Sequence, residues 1–268
     1  MISRHCPQSA LRFYATENMR HHKPVTKKTF GMLPTWLKPG APPREFISLQ
    51  IKDGNQYQDA PHRKFQVFGC EPQSKFFNPG RANMVSMAFP PAVDAESVLQ
   101  FRDLFIQACG VFPLQSGHAG FSFECSPYDE EASQTYAWAT SMQVRGVDIC
   151  RVPADRRAVG EDAIKGVNWL TALGAGLLQQ IGGLAKLRRD LSSEIELFEL
   201  PGGGVVIQAG KMPLLGDINR GETLPLYQQV YKLLAPLIET AGRRSLSFNL
   251  STDYVEKTER WFTRLSND

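Results

Sequence analysis

No C-x-x-C pair, no H-x-x-x-H spacing and no G-x-S-x-G elbow occurs in these 268 residues. Those absences remove the usual anchors of a structural zinc site, a helical metal pair and a hydrolase nucleophile. The five cysteines (Cys6, Cys70, Cys109, Cys125 and Cys150) are odd in number and widely spaced. That favours reduced thiols in a cytoplasm over a disulfide framework. No apolar run approaches the roughly 18 residues of a membrane-spanning helix. The opening stretch, MISRHCPQSALRFYATENMRHH, has no apolar h-region, so no secretory signal is expected either.

A hydrophobic content of 42% with 21% charged residues is that of an ordinary soluble globular protein, able to bury one large core or two smaller ones. The net charge of +3 hides an asymmetry. Residues 1–43 carry seven Lys or Arg and one Glu, whereas residues 44–268 carry 23 basic and 26 acidic residues. A basic arm can attract nucleic acid or a membrane. No aromatic-interleaved basic groove accompanies it, so a solvated N-terminal segment is the favoured reading and direct nucleic-acid binding is not expected.

Periodicity divides the chain into a basic segment, 1–43, with a short helix in 8–22 (Leu11, Tyr14, Ala15 and Met19 on one side) and an irregular stretch over 23–43, followed by an α+β body, 44–268. A subdivision of the body near Pro153 is left open. Strands are predicted at 46–51, 64–69, 83–89, 119–125 and 144–152. Asp94 should cap a helix reaching Ala108 with Gly110 as its stop. Asp129-Glu130-Glu131 should open another, ending near Met142. Further on, helices are predicted over 168–181, closed by Gly182-Gly183, and over 184–191, 224–234 (ending before Pro236) and after Asp253, where Glu256 completes a capping-box spacing. Strands 195–200 and 205–209 flank Pro201-Gly202-Gly203-Gly204 as a hairpin. Strands in adjacent runs with helices between groups imply an α+β fold with mostly antiparallel sheet and helices packed on one face, with a division into two similar α+β halves left open.

The polar motifs have bland readings that outweigh chemical ones. Gly202-Gly203-Gly204 is followed by a strand and not a helix, so a turn is favoured over a phosphate cradle. In Gly216-Asp217-Ile218-Asn219-Arg220-Gly221, a base or metal role for Asp217 with Arg220 as anion clamp competes with a turn in which Asp and Asn bond their own backbone. There Arg220 would lock segments through a carboxylate, and Asp217 or Asn219 would bond the 165–168 segment. Trp169 sits in an apolar run and reads as core beside Asn168. Neighbouring carboxylates (Asp129, Glu130, Glu131; Glu161, Asp162) point different ways on a helix, so they suit solvated helix starts or an acidic contact patch and not acid–base pairs. His118 stands alone before a strand. No catalytic, metal or cofactor set is assigned.

Two segments carry a family resemblance. Ile164-Lys165-Gly166-Val167-Asn168-Trp169-Leu170-Thr171 is followed by the Gly182-Gly183 step and then by GGGVVIQAGKMPLLGDINRG, 202–221. The block continues through Leu224-Pro225-Leu226-Tyr227 and Leu234-Ala235-Pro236-Leu237, with Trp261-Phe262-x-x-Leu265 near the end. The chain thereby resembles bacterial type VI secretion immunity proteins of the TsiV kind, first described as a domain of unknown function. The match is clear over about 160–240, with weaker echoes at Trp36-Leu37-x-Pro39-Gly40 and 117–123, and the short, basic first forty residues are where the chain departs from the pattern.

The resemblance implies a scaffold role for the motif residues Lys165, Gly166, Asn168, Trp169, Gly210, Gly216, Asp217, Asn219, Arg220 and Gly221. It also implies a protein that binds and neutralises an effector toxin encoded by the adjacent gene, and no reaction. A cytoplasmic antidote suits a toxin acting inside the cell, such as a restriction-endonuclease-like DNase. Occlusion of the toxin's active site and disruption of a toxin oligomer both remain open. Asp129, Glu130, Glu131, Glu161 and Asp162 are the candidate partner contacts, because nuclease surfaces are basic. The alternative is a small enzyme or nucleic-acid-associated factor using the basic arm and the 217–220 loop.

Overall fold

A computed structural model describes residues 8–42, 44–71, 73–75, 77, 82–91, 94–126, 128, 130–150, 159, 162–240 and 254–266. The chain forms two compact units, Met1–Pro90 with Glu124–Glu130, and Pro91–Phe123 with Glu131–Asp268. The described residues 8–42 belong to the first unit.

The first unit is built on an antiparallel sheet of β2 (Lys23–Pro24), β1 (Phe13–Thr16), β3 (Ile47–Lys52), β4 (Lys64–Gly69) and β5 (Met84–Ala88), in that order. β3 (Ile47–Lys52) shows the predicted alternation, with Ile47, Leu49 and Ile51 buried. β4 (Lys64–Gly69) and β5 (Met84–Ala88) follow in register. The helix expected within 8–22 is absent. A single 3-10 turn, Gln8–Ala10, leads into β1 (Phe13–Thr16), which pairs with β3 so that Tyr14 faces Ile51. Aromatic and β-branched side chains suit a pleated surface, and the free edge of β3 outweighs a short helix that is marginal by itself. Leu11, Tyr14 and Met19 still join the core, through the strand.

The irregular stretch expected over 23–43 contains β2 (Lys23–Pro24), a 3-10 turn and helix α1 (Met32–Leu37). Pro34 is tolerated in the first turn of α1, where its missing N–H has no helical partner, and Pro39 follows the extended Lys38 that ends the helix. Phe30, Met32, Leu33 and Trp36 cover the sheet's apolar face. The opposite face is polar. There Gln50 bonds Gln66, and Lys64 meets Glu124 at 2.5 Å. His22 bonds Gln50 and the hydroxyl of Tyr128, both Glu124 and Tyr128 coming from the returning 124–130 stretch.

The second unit opens with α2 (Ala95–Val111). Asp94 caps it by accepting from the Ser97 N–H, and Val98, Leu104 and Cys109 are buried. Gly110 does not stop it. The helix runs to Val111 and ends at Phe112, whose extended backbone precedes Pro113. β6 (Ser116–Ala119) and β7 (Ser122–Phe123) replace the single strand expected over 119–125. The break falls at Gly120, where a Cβ would lie 2.1 Å from Asn168 Oδ1. α3 (Glu130–Ser141) is as predicted. Of the expected 144–152 strand, only β8 (Asp148–Ile149) forms, parallel to β7, with Val144 bridging Asp217. Residues 151 and 152 lie outside the described ones.

The expected 168–181 helix divides. β9 (Leu170–Leu173) is a strand buried on both faces, and only α4 (Ala175–Gln180) is helical. A short apolar run fits either structure by periodicity. Here it sits between β6 and β11 (Val205–Ala209) in a four-stranded sheet whose far edge is β10 (Ile195–Glu199). α5 (Gly183–Asp190) and the antiparallel hairpin of β10 (Ile195–Glu199) and β11 (Val205–Ala209) match expectation. α6 (Pro225–Thr240) runs through Pro236. Pro236 and Lys232, whose carbonyl loses its helical partner, are both exposed, so the break faces water. α7 (Tyr254–Phe262) carries the buried Trp261. Its proposed cap, Asp253, lies outside the described residues. The architecture is α+β with mainly antiparallel sheets, and no helix among the described residues is long and apolar enough to cross a membrane.

Candidate functional site

Lys165, a motif residue, lies in a buried charge cluster of the second unit. Lys165 Nζ donates to Asp148 Oδ2 at 2.8 Å and to the Ile149 carbonyl at 2.6 Å. His118 Nε2 lies 2.8 Å from the same carboxylate oxygen. Burial by itself would raise the Asp148 carboxyl. The charges of Lys165 and His118 and their hydrogen bonds outweigh it and hold the carboxyl well below the usual carboxylate range. Lys165 also faces the Trp261 ring, and the Arg264 guanidinium stacks on that ring at 3.9 Å while donating to the carbonyls of Arg145 and Trp261. Burial pulls Arg264 down to about 10, with Asp148 opposing, so it stays charged near neutrality. The cluster ties β6, β8, the 163–168 segment and the C-terminal turn together.

Trp169 is core, as expected. It is fully buried, stacks on Phe101 and donates its indole N–H to the Gly210 carbonyl at 2.8 Å. Asn168 Oδ1 accepts from the Trp169 N–H, and its amide reaches the Phe121 carbonyl. Gly166 has open space around it, and nothing in the structure explains its place in the motif.

The 210–221 loop departs from expectation in two respects. Asp217 does not bond the 165–168 segment. Its carboxylate accepts from the Asn219 N–H and caps a 3-10 turn, Ile218–Arg220, while its own N–H donates to Glu222. Arg220 is no buried lock, since it is exposed and lies 3.6 Å from Glu222. The partner for Lys165 is Asp148 instead. Gly210, Gly216 and Gly221 all have positive φ, which L-residues rarely adopt. The loop is fixed by its neighbours. The N–H groups of Arg145, Gly146 and Leu214 donate to the Gly216 carbonyl, the Leu215 carbonyl and the Tyr227 hydroxyl, and Ile218 donates to Gln143. Burial pushes the Tyr227 phenol above its usual range, so the hydroxyl stays neutral.

Among the candidate partner contacts, Asp162 is exposed at the rim of a surface depression of about 390 Å³ that also includes Lys186, Leu233 and Pro236. Glu130 and Glu131 start α3, but their side chains, like Asp129 and Glu161 entirely, lie outside the described residues. His118 and Asp148 are the residues that sequence reasoning missed. The available signal was a lone carboxylate inside the apolar run Val147-Asp148-Ile149-Cys150, since a buried charge needs a partner.

The chain matches the model of the TsiV family, described as type VI immunity for VRR-NUC, over residues 2–265, so the likeness includes the first forty residues. No curated relative matches. Among solved structures, the Pseudomonas aeruginosa T6SS protein PA0821 is similar in fold, with a TM-score of 0.77 and 22% identity over 97% of this chain and 73% of that one. The 165–169 and 210–221 motifs frame one buried charge cluster and one fixed loop, and with its family model matched across almost its whole length the chain belongs to the TsiV family of type VI immunity proteins.

Proposed function

We propose that this chain is the antidote to a VRR-NUC effector and silences it by stoichiometric binding, without catalysing a reaction. The observation that carries this reading is the family match over residues 2–265, whose description pairs the fold with that effector class. The buried motif residues support it. Lys165, Trp169 and Asn168 are all inside, bonded to Asp148 or to backbone, which is how a scaffold is held and not how a substrate is met. The 217–220 loop offers the alternative enzymatic reading little, because Asp217 is committed to a cap and Arg220 to a surface pair. The partner is read as a nuclease of the adjacent gene acting in the cytoplasm, and Asp129, Glu130, Glu131, Glu161 and Asp162 as charges that attract its basic surface.

Co-expression tests this. A tag on the nuclease alone should co-purify this chain at a fixed ratio, and cells should survive expression of both. Survival without a complex, or a complex with undiminished nuclease activity, would overturn the reading.

A further inference from the structure

Within seven residues of the 210–221 loop, four large apolar side chains face solvent: Met212 (40% exposed), Leu214 (47%), Leu215 (41%) and Ile218 (43%). None belongs to the unit's core cluster. Together they offer roughly 300 Å² of exposed surface, within the range of the largest apolar patch on a typical monomer, which is often functional. Exposed apolar side chains on a mobile loop would lose much of any binding gain to ordering. This loop is already ordered by bonds from Arg145, Gly146 and Ile218 and by the Tyr227 hydroxyl. A Cβ on Gly146 would lie 2.2 Å from the Leu214 carbonyl, so the support is in direct backbone contact. Beside it lies a depression of about 440 Å³ lined by Pro225, Leu226, Gln228, Gln229 and Lys232. Leu226 is the neighbour that a Cβ on Gly210 would meet.

Charge and area identify the occupant. From Lys211 to Glu222 the loop carries two charges of each sign, Lys211 and Arg220 against Asp217 and Glu222, so it has no net attraction for a phosphate backbone. An apolar centre with a polar rim is the anatomy of a protein–protein surface. The patch is less than half of the roughly 800 Å² per side of a standard interface, and further below what an obligate homodimer buries. It suits the centre of a contact with a separately folded partner, not the seam of a permanent dimer of this chain. We propose that the 212–218 loop is the anchor on which the effector nuclease docks, with Lys211, Asn219, Arg220 and Glu222 as its rim. This rests on the immunity reading above.

The test uses the full chain and the VRR-NUC protein encoded beside it, the latter inactivated in its own active site. A Leu214→Ser/Ile218→Ser double variant should keep the wild-type denaturation midpoint and bind at least 100-fold more weakly, mainly through faster dissociation. Val111→Ser, at a side chain 80% exposed outside the loop, should bind as wild type does. Binding by the double variant within threefold of wild type overturns the docking surface and leaves the immunity reading standing. Failure of the wild-type chain to bind defeats both. A wild-type dimer that the double variant turns into monomer assigns the loop to a second copy and also overturns the proposal. Should the double variant unfold, Met212→Gln/Leu215→Gln carries the same expectation.

Discussion

Lys165 and Asp148 form an ion pair at 2.8 Å in which neither side chain exposes more than 6% of its surface. Removing Lys165 takes away one of the two cationic partners, Lys165 and His118, of the buried Asp148 carboxylate. Lys165→Met should lower the stability of the second unit by about 3–5 kcal/mol. Chemical denaturation of the variant measures it. Joint replacement by Lys165→Met and Asp148→Leu should cost less than the single change, because the buried ammonium and carboxylate leave together and the group that then loses a partner, His118, is 24% exposed.

The same pair sets a pH dependence. Asp148 is depressed in the folded state, so its contribution is complete above the unfolded carboxyl value of about 4 and is lost as pH falls from there toward the lower folded value. Denaturation midpoints should drop on acidification across that window. Asp148→Asn should be less stable near neutrality and show a shallower acid limb. An unchanged limb would remove Asp148 from the account of acid lability.

Asp217→Ala removes the cap of the Ile218–Arg220 turn and the acceptor for the Asn219 N–H. The expected loss is about 0.5–2 kcal/mol. Amide exchange at Asn219 should quicken, while exchange in the 165–168 segment stays as in wild type, since Asp217 does not hold it.

Gly146→Ala places a methyl group against the Leu214 carbonyl, and backbone cannot step aside as a flexible side chain would. The variant should lose stability and shift the amide resonances of residues 214–218. Its affinity for the effector should fall even though no contacting side chain has changed.

Reversing charge at Asp129, Glu130, Glu131, Glu161 and Asp162 together should slow association and flatten its salt dependence, with dissociation little altered. Stopped-flow binding at two ionic strengths separates this from the loop variants, which act on dissociation.

The strands at 47–52, 64–69, 84–88, 195–199 and 205–209 were legible because each alternates or is bounded by turn residues. β1 and β9 were not. Phe13–Thr16 is a strand because β3 offers it an edge, and Leu170–Leu173 because β6 and β11 flank it. Both causes are distant in sequence. Trp169 was readable as core from its apolar neighbours. The Lys165–Asp148–His118 cluster was not, because its members are 17 and 30 residues apart. The exposed loop escaped notice for a different reason: its leucines look like any core leucines until their surroundings are known.

The first unit takes Glu124–Glu130 from the middle of the stretch that otherwise builds the second. That short return supplies Glu124, the partner of the buried Lys64, and Tyr128, the partner of His22. A single genetic crossover at the Pro90–Pro91 junction would therefore part Lys64, which stays in its own sheet, from Glu124, which travels with the other half. The first unit is thus not inherited as one uninterrupted piece of chain: a recombinant at that junction would receive its sheet from one parent and its 124–130 return from the other.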